Sequence, residues 1–168
     1  MFKKNLLLTA IFLMLSVSLF AGKKKVNFSG KWVLDKEKTE IAENSIFLTE
    51  ISIKHVGDSL FTIRSYESDY DGGVYPFDED LTLDGKEYEI YIYDMPRTAS
   101  AKWSDKGKSI IINSKVIFYG DQGDVDMIAE ETFTLEKKGT LLIINSKNKT
   151  GEEETEGILY FNKEESSE

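Results

Sequence analysis

The segment Ile51-Ser52-Ile53-Lys54-His55-Val56-Gly57-Asp58-Ser59-Leu60-Phe61-Thr62-Ile63 decides the fold class of this chain. Apolar and polar side chains alternate on both sides of a Gly-Asp pair, which is the pattern of two antiparallel strands joined by a tight turn. The alternation begins a few residues earlier and places four side chains on one face of the first strand: Phe47, Thr49, Ile51 and Ile53. The segment therefore predicts a β-hairpin that turns at the Gly-Asp pair.

Four further turn signals repeat this pattern along the chain: Asp84-Gly85, Asp105-Lys106-Gly107, residues 120–124 and Lys137-Lys138-Gly139. Each lies between runs rich in β-branched and aromatic residues, which favour strands. The count is about eight to ten strands, nearly all joined by short loops. Only residues 35–44 suggest helix, as one short helical turn after the first strand. The chain is therefore predicted to be an all-β, antiparallel, up-and-down meander.

A long meander must protect the unpaired backbone groups of its two edge strands. Closure into a barrel removes both edges, so we expect a barrel, with a two-sheet sandwich as the alternative. A barrel of eight strands can already hold one small ligand, and ten strands give a wider interior. The architecture thus allows an internal binding site.

The first 21 residues have the composition of a secretory signal peptide. Lys3 and Lys4 precede an apolar stretch, residues 6–20, that ends at Ala21. This stretch is shorter than the roughly 20 residues of a membrane-spanning helix, so we expect cleavage after Ala21 and no membrane insertion afterwards. Residues 22–168 would then form a single domain, periplasmic or secreted, with an acidic C-terminal tail.

Charge and cysteine content restrict the partners. The chain carries 30 acidic residues and a net charge of −9, which disfavours nucleic acid as a partner. It has no cysteine, so a lipoprotein anchor, disulfides and thiolate metal sites are excluded. The sequence carries no signal for the oligomeric state.

The segment Gly30-Lys31-Trp32 resembles the G-x-W signature that opens the first strand of the lipocalins and their calycin relatives. The hairpin around Gly57-Asp58 and the segment Ala101-Lys102-Trp103-Ser104-Asp105-Lys106-Gly107-Lys108 resemble small secreted lipocalin-like proteins of bacteria. The resemblance implies a barrel with an apolar cavity, open at one end, that carries small hydrophobic molecules. It also implies that Gly30 and Trp32 are structural, with Trp32 packed beneath an arginine near the last strand, where this chain has Lys163.

Four residues are predicted to contact a ligand: Arg64, Arg97, Tyr88 and Trp103. The two arginines are the only ones in the chain, and arginine suits planar, bidentate contacts. They either face the cavity and pair with a ligand carboxylate, as the resemblance to fatty-acid-binding barrels suggests, or form surface ion pairs. Alternation predicts Tyr88, Ile90 and Ile92 inside the barrel, and Tyr91 and Tyr93 outside.

No motif predicts catalysis, a metal site or a cofactor. His55 is the single histidine, either a solvated turn residue or a lone haem ligand, and no nucleophile elbow or EF-hand loop is present. We therefore expect a non-catalytic, lipocalin-like carrier of a small apolar or carboxylate-bearing ligand. The alternatives are an envelope-associated protein-interaction module, with a filled barrel or β-sandwich core, and a hydrolase or isomerase that uses buried carboxylates.

Overall fold

Ten antiparallel strands make up most of the protein. The structure is a computed structural model and describes residues 26–42, 45–119 and 123–165, so the predicted signal peptide lies outside the described residues. The strands are β1 (Gly30–Leu34), β2 (Ile46–Val56), β3 (Ser59–Ser68), β4 (Val74–Thr82), β5 (Asp84–Ile92), β6 (Met95–Trp103), β7 (Ser109–Phe118), β8 (Val125–Glu136), β9 (Leu141–Thr150) and β10 (Glu153–Lys163).

The meander closes into a nearly complete barrel because its first and last strands pair. The strand order is β4-β3-β2-β1-β10-β9-β8-β7-β6-β5, and Trp32 of β1 lies opposite Lys163 of β10. All neighbouring pairs are antiparallel. The prediction of an up-and-down barrel is therefore confirmed, whereas the sandwich alternative is not what forms.

The two remaining edges, β4 and β5, are consecutive in the chain but do not pair. The turn between them is Leu83, rather than the predicted Asp84-Gly85. Its side chain is buried and its N–H donates to the carbonyl of Asp58 at 2.8 Å, which ties the turn to the neighbouring hairpin. An apolar turn residue that packs into the core thus moves the turn away from its sequence signal.

Side chains bridge the gap between the two edges. The hydroxyl groups of Thr82 and Tyr88 lie 2.9 Å apart near one end, and the Tyr93 hydroxyl donates to the Pro76 carbonyl at 3.2 Å near the other. The gap is therefore closed by a few side chains and lacks the ladder of backbone hydrogen bonds found elsewhere in the barrel.

The prediction of a helical turn after the first strand is wrong for the described residues 35–42. The chain makes one hydrogen-bonded turn there, in which the Thr39 N–H donates to the Asp35 carbonyl at 3.1 Å. The turn is tied to β10 by other groups of the same two residues, because the Asp35 N–H donates to the Tyr160 carbonyl and Thr39 Oγ1 accepts from the Tyr160 N–H. The described residues instead contain a 3-10 turn at Lys137–Gly139, between β8 and β9. In the part of the chain that the structure describes, no helix could cross a membrane.

An irregularity in β2 changes which side chains face the core. The β2–β3 register shifts between Leu48 and Glu50, where Thr49 Oγ1 donates to the Ser65 carbonyl at 3.1 Å. Because a bulge adds one residue to the strand, Leu48 joins the buried core and Thr49 does not. The predicted face of β2 is therefore right for Ile51 and Ile53 and wrong before the bulge.

The structural signature closes one end of the barrel. Trp32 is fully buried and its Nε1 donates to the Phe28 carbonyl at 3.0 Å. The Lys163 ammonium lies 5.3 Å from the Trp32 ring centroid, so a lysine occupies the place that the resemblance gives to an arginine. Gly30 lets this side chain pass, since a Cβ at Gly30 would lie 2.6 Å from Lys163 Cε.

Candidate functional site

The barrel interior has two halves of different composition. Register aligns Ile110, Phe133 and Ile144 on three neighbouring strands, and all three are fully buried. We call the half around them the closed half. Towards the other end, the inward residues of these strands and of β6 are mostly smaller, and we call this half the open half. Its lining includes Ala99, Ser114, Ala129, Val116 and Met127.

Four charged side chains meet where the two halves join. Arg64 Nη1 of β3 donates to Glu131 Oε1 of β8 at 2.9 Å across the barrel, and Arg64 Nη2 forms an ion-pair contact with Glu131 Oε2 at 2.8 Å. Arg97 Nε of β6 donates to Glu79 Oε1 of β4 at 2.8 Å. Arg64 Nη2 also lies 3.7 Å from Glu79 Oε2. We refer to these four residues as the Arg–Glu cluster.

The Arg–Glu cluster is almost completely shielded from solvent. Arg64 and Glu79 are each 1% exposed, Arg97 is 6% exposed, and the Glu131 side chain is 13% exposed. Aromatic rings cover both guanidinium groups. The Phe77 centroid lies 6.0 Å from Arg64 Cζ and 5.7 Å from Arg97 Cζ, and the Phe133 centroid lies 5.5 Å from Arg64 Cζ. Two positive and two negative charges leave the cluster neutral overall.

The ion pair between Arg64 and Glu131 keeps both groups charged despite their burial. Burial alone would raise the pKa of Glu131, but the Arg64 charge and hydrogen bond outweigh it, and the pKa is lowered. Burial would likewise lower the pKa of Arg64, yet the neighbouring carboxylates hold it well above its ordinary value. Burial raises the pKa of Tyr66, whose ring stacks on Phe77 at 5.8 Å. The phenol therefore remains neutral beside the ions.

The hydrogen-bonding capacity of the Arg–Glu cluster is not filled. Among the described residues of the cluster, four atoms have no hydrogen-bond partner: Arg64 Nε, Arg64 Nη2, Arg97 Nη2 and Glu79 Oε2. Arg64 Nη2 nevertheless lies within ion-pair distance of Glu131 and of Glu79. An unpaired buried polar atom costs about 1 to 3 kcal/mol, and native proteins rarely leave several together. Because Arg64 Nη2 already faces both carboxylates, the atoms left for a further group are the donors Arg64 Nε and Arg97 Nη2 and the acceptor Glu79 Oε2.

The Glu79–Arg97 bond also crosses the gap between β4 and β6, beside the unpaired edges. It lies between the two outer bridges, Thr82 to Tyr88 and Pro76 to Tyr93. The Glu79–Arg97 ion pair thus lies both at the inner end of the open half and beside the gap between β4 and β5.

The structure brings together two of the four predicted ligand contacts. Arg64 and Arg97 are both buried inside the barrel and share Glu79, so the surface ion-pair alternative is wrong. Tyr88 lies at the gap, bonded to Thr82. Trp103 lies in the closed half, with its ring centroid 6.2 Å from that of Phe28. Ligand contact by any of the four stays a prediction.

Tyrosine orientation along β5 follows the predicted alternation. Tyr88, Ile90 and Ile92 are partly buried, whereas Tyr91 is 73% exposed and Tyr93 is 59% exposed. Ile90 faces Arg97 across the β5–β6 ladder and therefore lines the open half. The inward face of β5 is confirmed.

His55 belongs to the packing of the closed half. It is 8% exposed, Nδ1 accepts the Phe28 N–H at 3.3 Å, and Nε2 lies 3.1 Å from the Gly57 carbonyl oxygen. Both ring nitrogens are thus engaged, with the proton on Nε2, and the ring packs 5.5 Å from that of Trp103. The interpretation of His55 as a solvated turn residue is wrong.

The sequence analysis missed the two glutamates of the Arg–Glu cluster. Glu79 lies between Phe77 and Leu81 in the alternation of β4, and Glu131 lies between Ala129 and Phe133 in that of β8. An acid at an inward position of an otherwise apolar face signals a buried charge that needs a cation. Because the chain has only two arginines, these two inward acids could have been predicted to pair with Arg64 and Arg97.

Comparisons with protein-family models, with curated proteins and with solved structures found no match to this chain. Within the described residues, no group of three or more histidine, aspartate or glutamate side chains is placed to hold a metal ion. The function is therefore argued from the Arg–Glu cluster and its surroundings.

Proposed function

We propose that this protein binds a small amphipathic molecule in the open half of the barrel and performs no chemistry on it. The observation that carries the proposal is the Arg–Glu cluster, whose unpartnered donors and acceptor lie at the floor of that half. A group that enters the open half could fill them and lower the cost of their burial.

The lining of the open half supports this proposal. Ala99, Ser114 and Ala129 lie at one level on neighbouring strands, and their short side chains fill less of the interior than the large residues of the closed half. Ile90, Val116 and Met127 follow at the next level and supply apolar surface. The polar group of a ligand would therefore lie on the cluster, with its apolar part towards the open end.

The resemblance to lipocalins and the predicted signal peptide support the proposed barrel type and location. A lipocalin-like carrier with an N-terminal signal peptide would work in the periplasm or outside the cell, and the apolar stretch 6–20 supports this location. The geometry at Trp32 and Lys163 supports the barrel type, and the ligand is argued from the open half alone.

Native mass spectrometry of the protein isolated from its natural source tests the proposal directly. We expect an additional mass of a small molecule that is lost on denaturation. Recombinant protein should also bind the neutral fluorescent probe N-phenyl-1-naphthylamine, with a blue shift and increased emission on entry into the barrel.

A matched pair of variants locates the probe. Ser114→Phe fills the open half and should abolish the fluorescence increase, whereas Asn113→Phe adds the same ring to the outer face of the same strand and should preserve it. Circular dichroism checks that both variants fold. Equal binding by the two variants would place the probe outside the open half.

A bare mass in the native spectrum together with no probe binding would refute the carrier function. That result would favour the protein-interaction alternative. For that role the described rim offers exposed aromatic side chains, with Tyr70 85% exposed and Tyr119 64% exposed.

A further inference from the structure

We infer that the ligand of the open half presents an uncharged hydroxyl or amide group, rather than a carboxylate, to Arg97 and Glu79. This inference rests on the proposed function and specifies the chemical class of the group that meets the Arg–Glu cluster. It differs from the carboxylate that two inward arginines alone suggest.

The hydrogen-bonding inventory is the first reason. Arg97 Nη2 is an unpartnered donor, and Glu79 Oε2 on the bonded glutamate is an unpartnered acceptor. A hydroxyl or amide group can accept from the guanidinium and donate to the carboxylate at once. An ionised carboxylate only accepts, so it would leave Glu79 Oε2 unpartnered.

Charge balance is the second reason. Arg64 forms an ion pair with Glu131 and Arg97 forms one with Glu79, so both cations already have counter-ions. A third carboxylate would give the site a net charge of −1 among side chains that are 13% exposed or less. Like charges at such distances repel strongly in an interior of low polarity.

Among the cluster residues that carry atoms without a hydrogen bond, exposure selects Arg97 as the point of contact. It is 6% exposed, against 1% for Arg64 and for Glu79, and its backbone lies level with Ile90 and Val116 of the open half. A ligand that enters the open half past these apolar side chains would therefore contact Arg97 before Arg64 or Glu79. Arg64 Nε lies deeper in the cluster and would obtain its hydrogen bond from a smaller group or by a rearrangement of side chains.

A matched pair of ligands tests the inference on the full-length mature protein at pH 7.5. Displacement of N-phenyl-1-naphthylamine is measured for 1-dodecanol and for dodecanoate, which share the chain and differ in charge. We expect the alcohol to bind wild type about tenfold more tightly or better, the scale that one uncompensated buried charge sets.

Charge variants of the cluster should reverse this order. Glu79→Gln removes one negative charge, so dodecanoate should become the tighter ligand. Glu130→Gln makes the same change on the outer face of β8 and should leave the ratio of the two affinities unchanged. The double variant Glu79→Gln with Arg97→Gln is neutral again and should restore the preference for the alcohol. If Glu79→Gln does not fold, Glu131→Gln makes the same charge change at a more exposed position.

The outcomes separate this inference from the carrier function. Wild type that prefers dodecanoate, or binds both ligands equally, overturns the inference and leaves the carrier standing. Binding of the probe without displacement by either compound also overturns it. Failure of the probe itself to bind, with a bare native mass, removes the carrier function and the inference with it.

Discussion

Replacement of Arg64 by methionine should destabilise the barrel severely. The arginine is 1% exposed and contacts Glu131 at 2.9 and 2.8 Å, so its loss leaves that carboxylate without its counter-ion. Glu79 would also lose its contact with Arg64 and keep only Arg97 as a counter-ion. Removing one partner of a buried ion pair costs about 3 to 5 kcal/mol, a large part of the roughly 5 to 15 kcal/mol that stabilises a domain.

Denaturant unfolding of a double-mutant cycle measures this effect. Arg64→Met, Glu131→Gln and the double variant are compared with wild type by circular dichroism in urea. Because the cost arises from an uncompensated charge, the double variant should be more stable than Arg64→Met alone, with a coupling of about 1 to 3 kcal/mol. Additive losses, or a double variant less stable than Arg64→Met, would refute the reasoning.

The exposed pair Lys147–Glu156 is the matched control for this cycle. Its charges lie 2.9 Å apart across β9 and β10, a separation close to that of the buried pair, but both side chains are well exposed. Lys147→Met should therefore change the unfolding midpoint little. A loss as large as that of Arg64→Met would show that burial is not the cause.

Three further predictions follow from named residues. Because Arg64 lowers the pKa of Glu131, the ionised Glu131 carboxylate stabilises the folded state. This contribution is complete above the usual pKa of 4.5 and is lost as the pH falls through the lowered pKa of the folded state. The difference in unfolding free energy between wild type and Glu131→Gln should therefore narrow from about pH 6 to about pH 3, and a widening difference contradicts this sign. Gly30→Ala should cost about 1 to 2 kcal/mol, because Gly30 has a positive φ of 152° that disfavours any Cβ, and most of this cost should remain when Lys163, whose flexible end lies 2.6 Å from that Cβ, is also alanine. Lys138 has a positive φ of 60°, so Lys138→Gly should stabilise by about 1 kcal/mol and raise the melting temperature; an unchanged or lower value argues against strain there.

The sequence predicted the barrel well because strands and turns are local signals. The alternation around Gly57-Asp58 predicts a hairpin without knowledge of any partner, and β2 and β3 form it. Two local errors had non-local causes. The bulge near Leu48 depends on Thr49 bonding to a residue of β3, and the turn at Leu83 depends on the carbonyl of Asp58. Neither contact can be inferred from the residues beside it.

The candidate site was harder to predict because its members lie on four strands. The scarcity of arginine singled out Arg64 and Arg97, and the structure joins them through Glu79. Pairing across the barrel decides which acids meet them, and the chain has 30 to choose from. The inward position of Glu79 and Glu131 in alternating strands narrows that choice, but the bond between Arg64 and Glu131 needs the closed barrel.

A purely structural role explains only part of the Arg–Glu cluster. The Glu79–Arg97 bond beside the gap at β4 and β5 would satisfy a need for closure there. It does not explain Arg64 and Glu131, which join β3 to β8 in a part of the interior where apolar side chains of equal volume would hold the walls together at lower electrostatic cost. Nor does closure gain anything from unpartnered donors and an unpartnered acceptor at the same place. The proposed ligand would account for both features, since its polar group would use the charges for recognition and remove the cost of the atoms left unpaired.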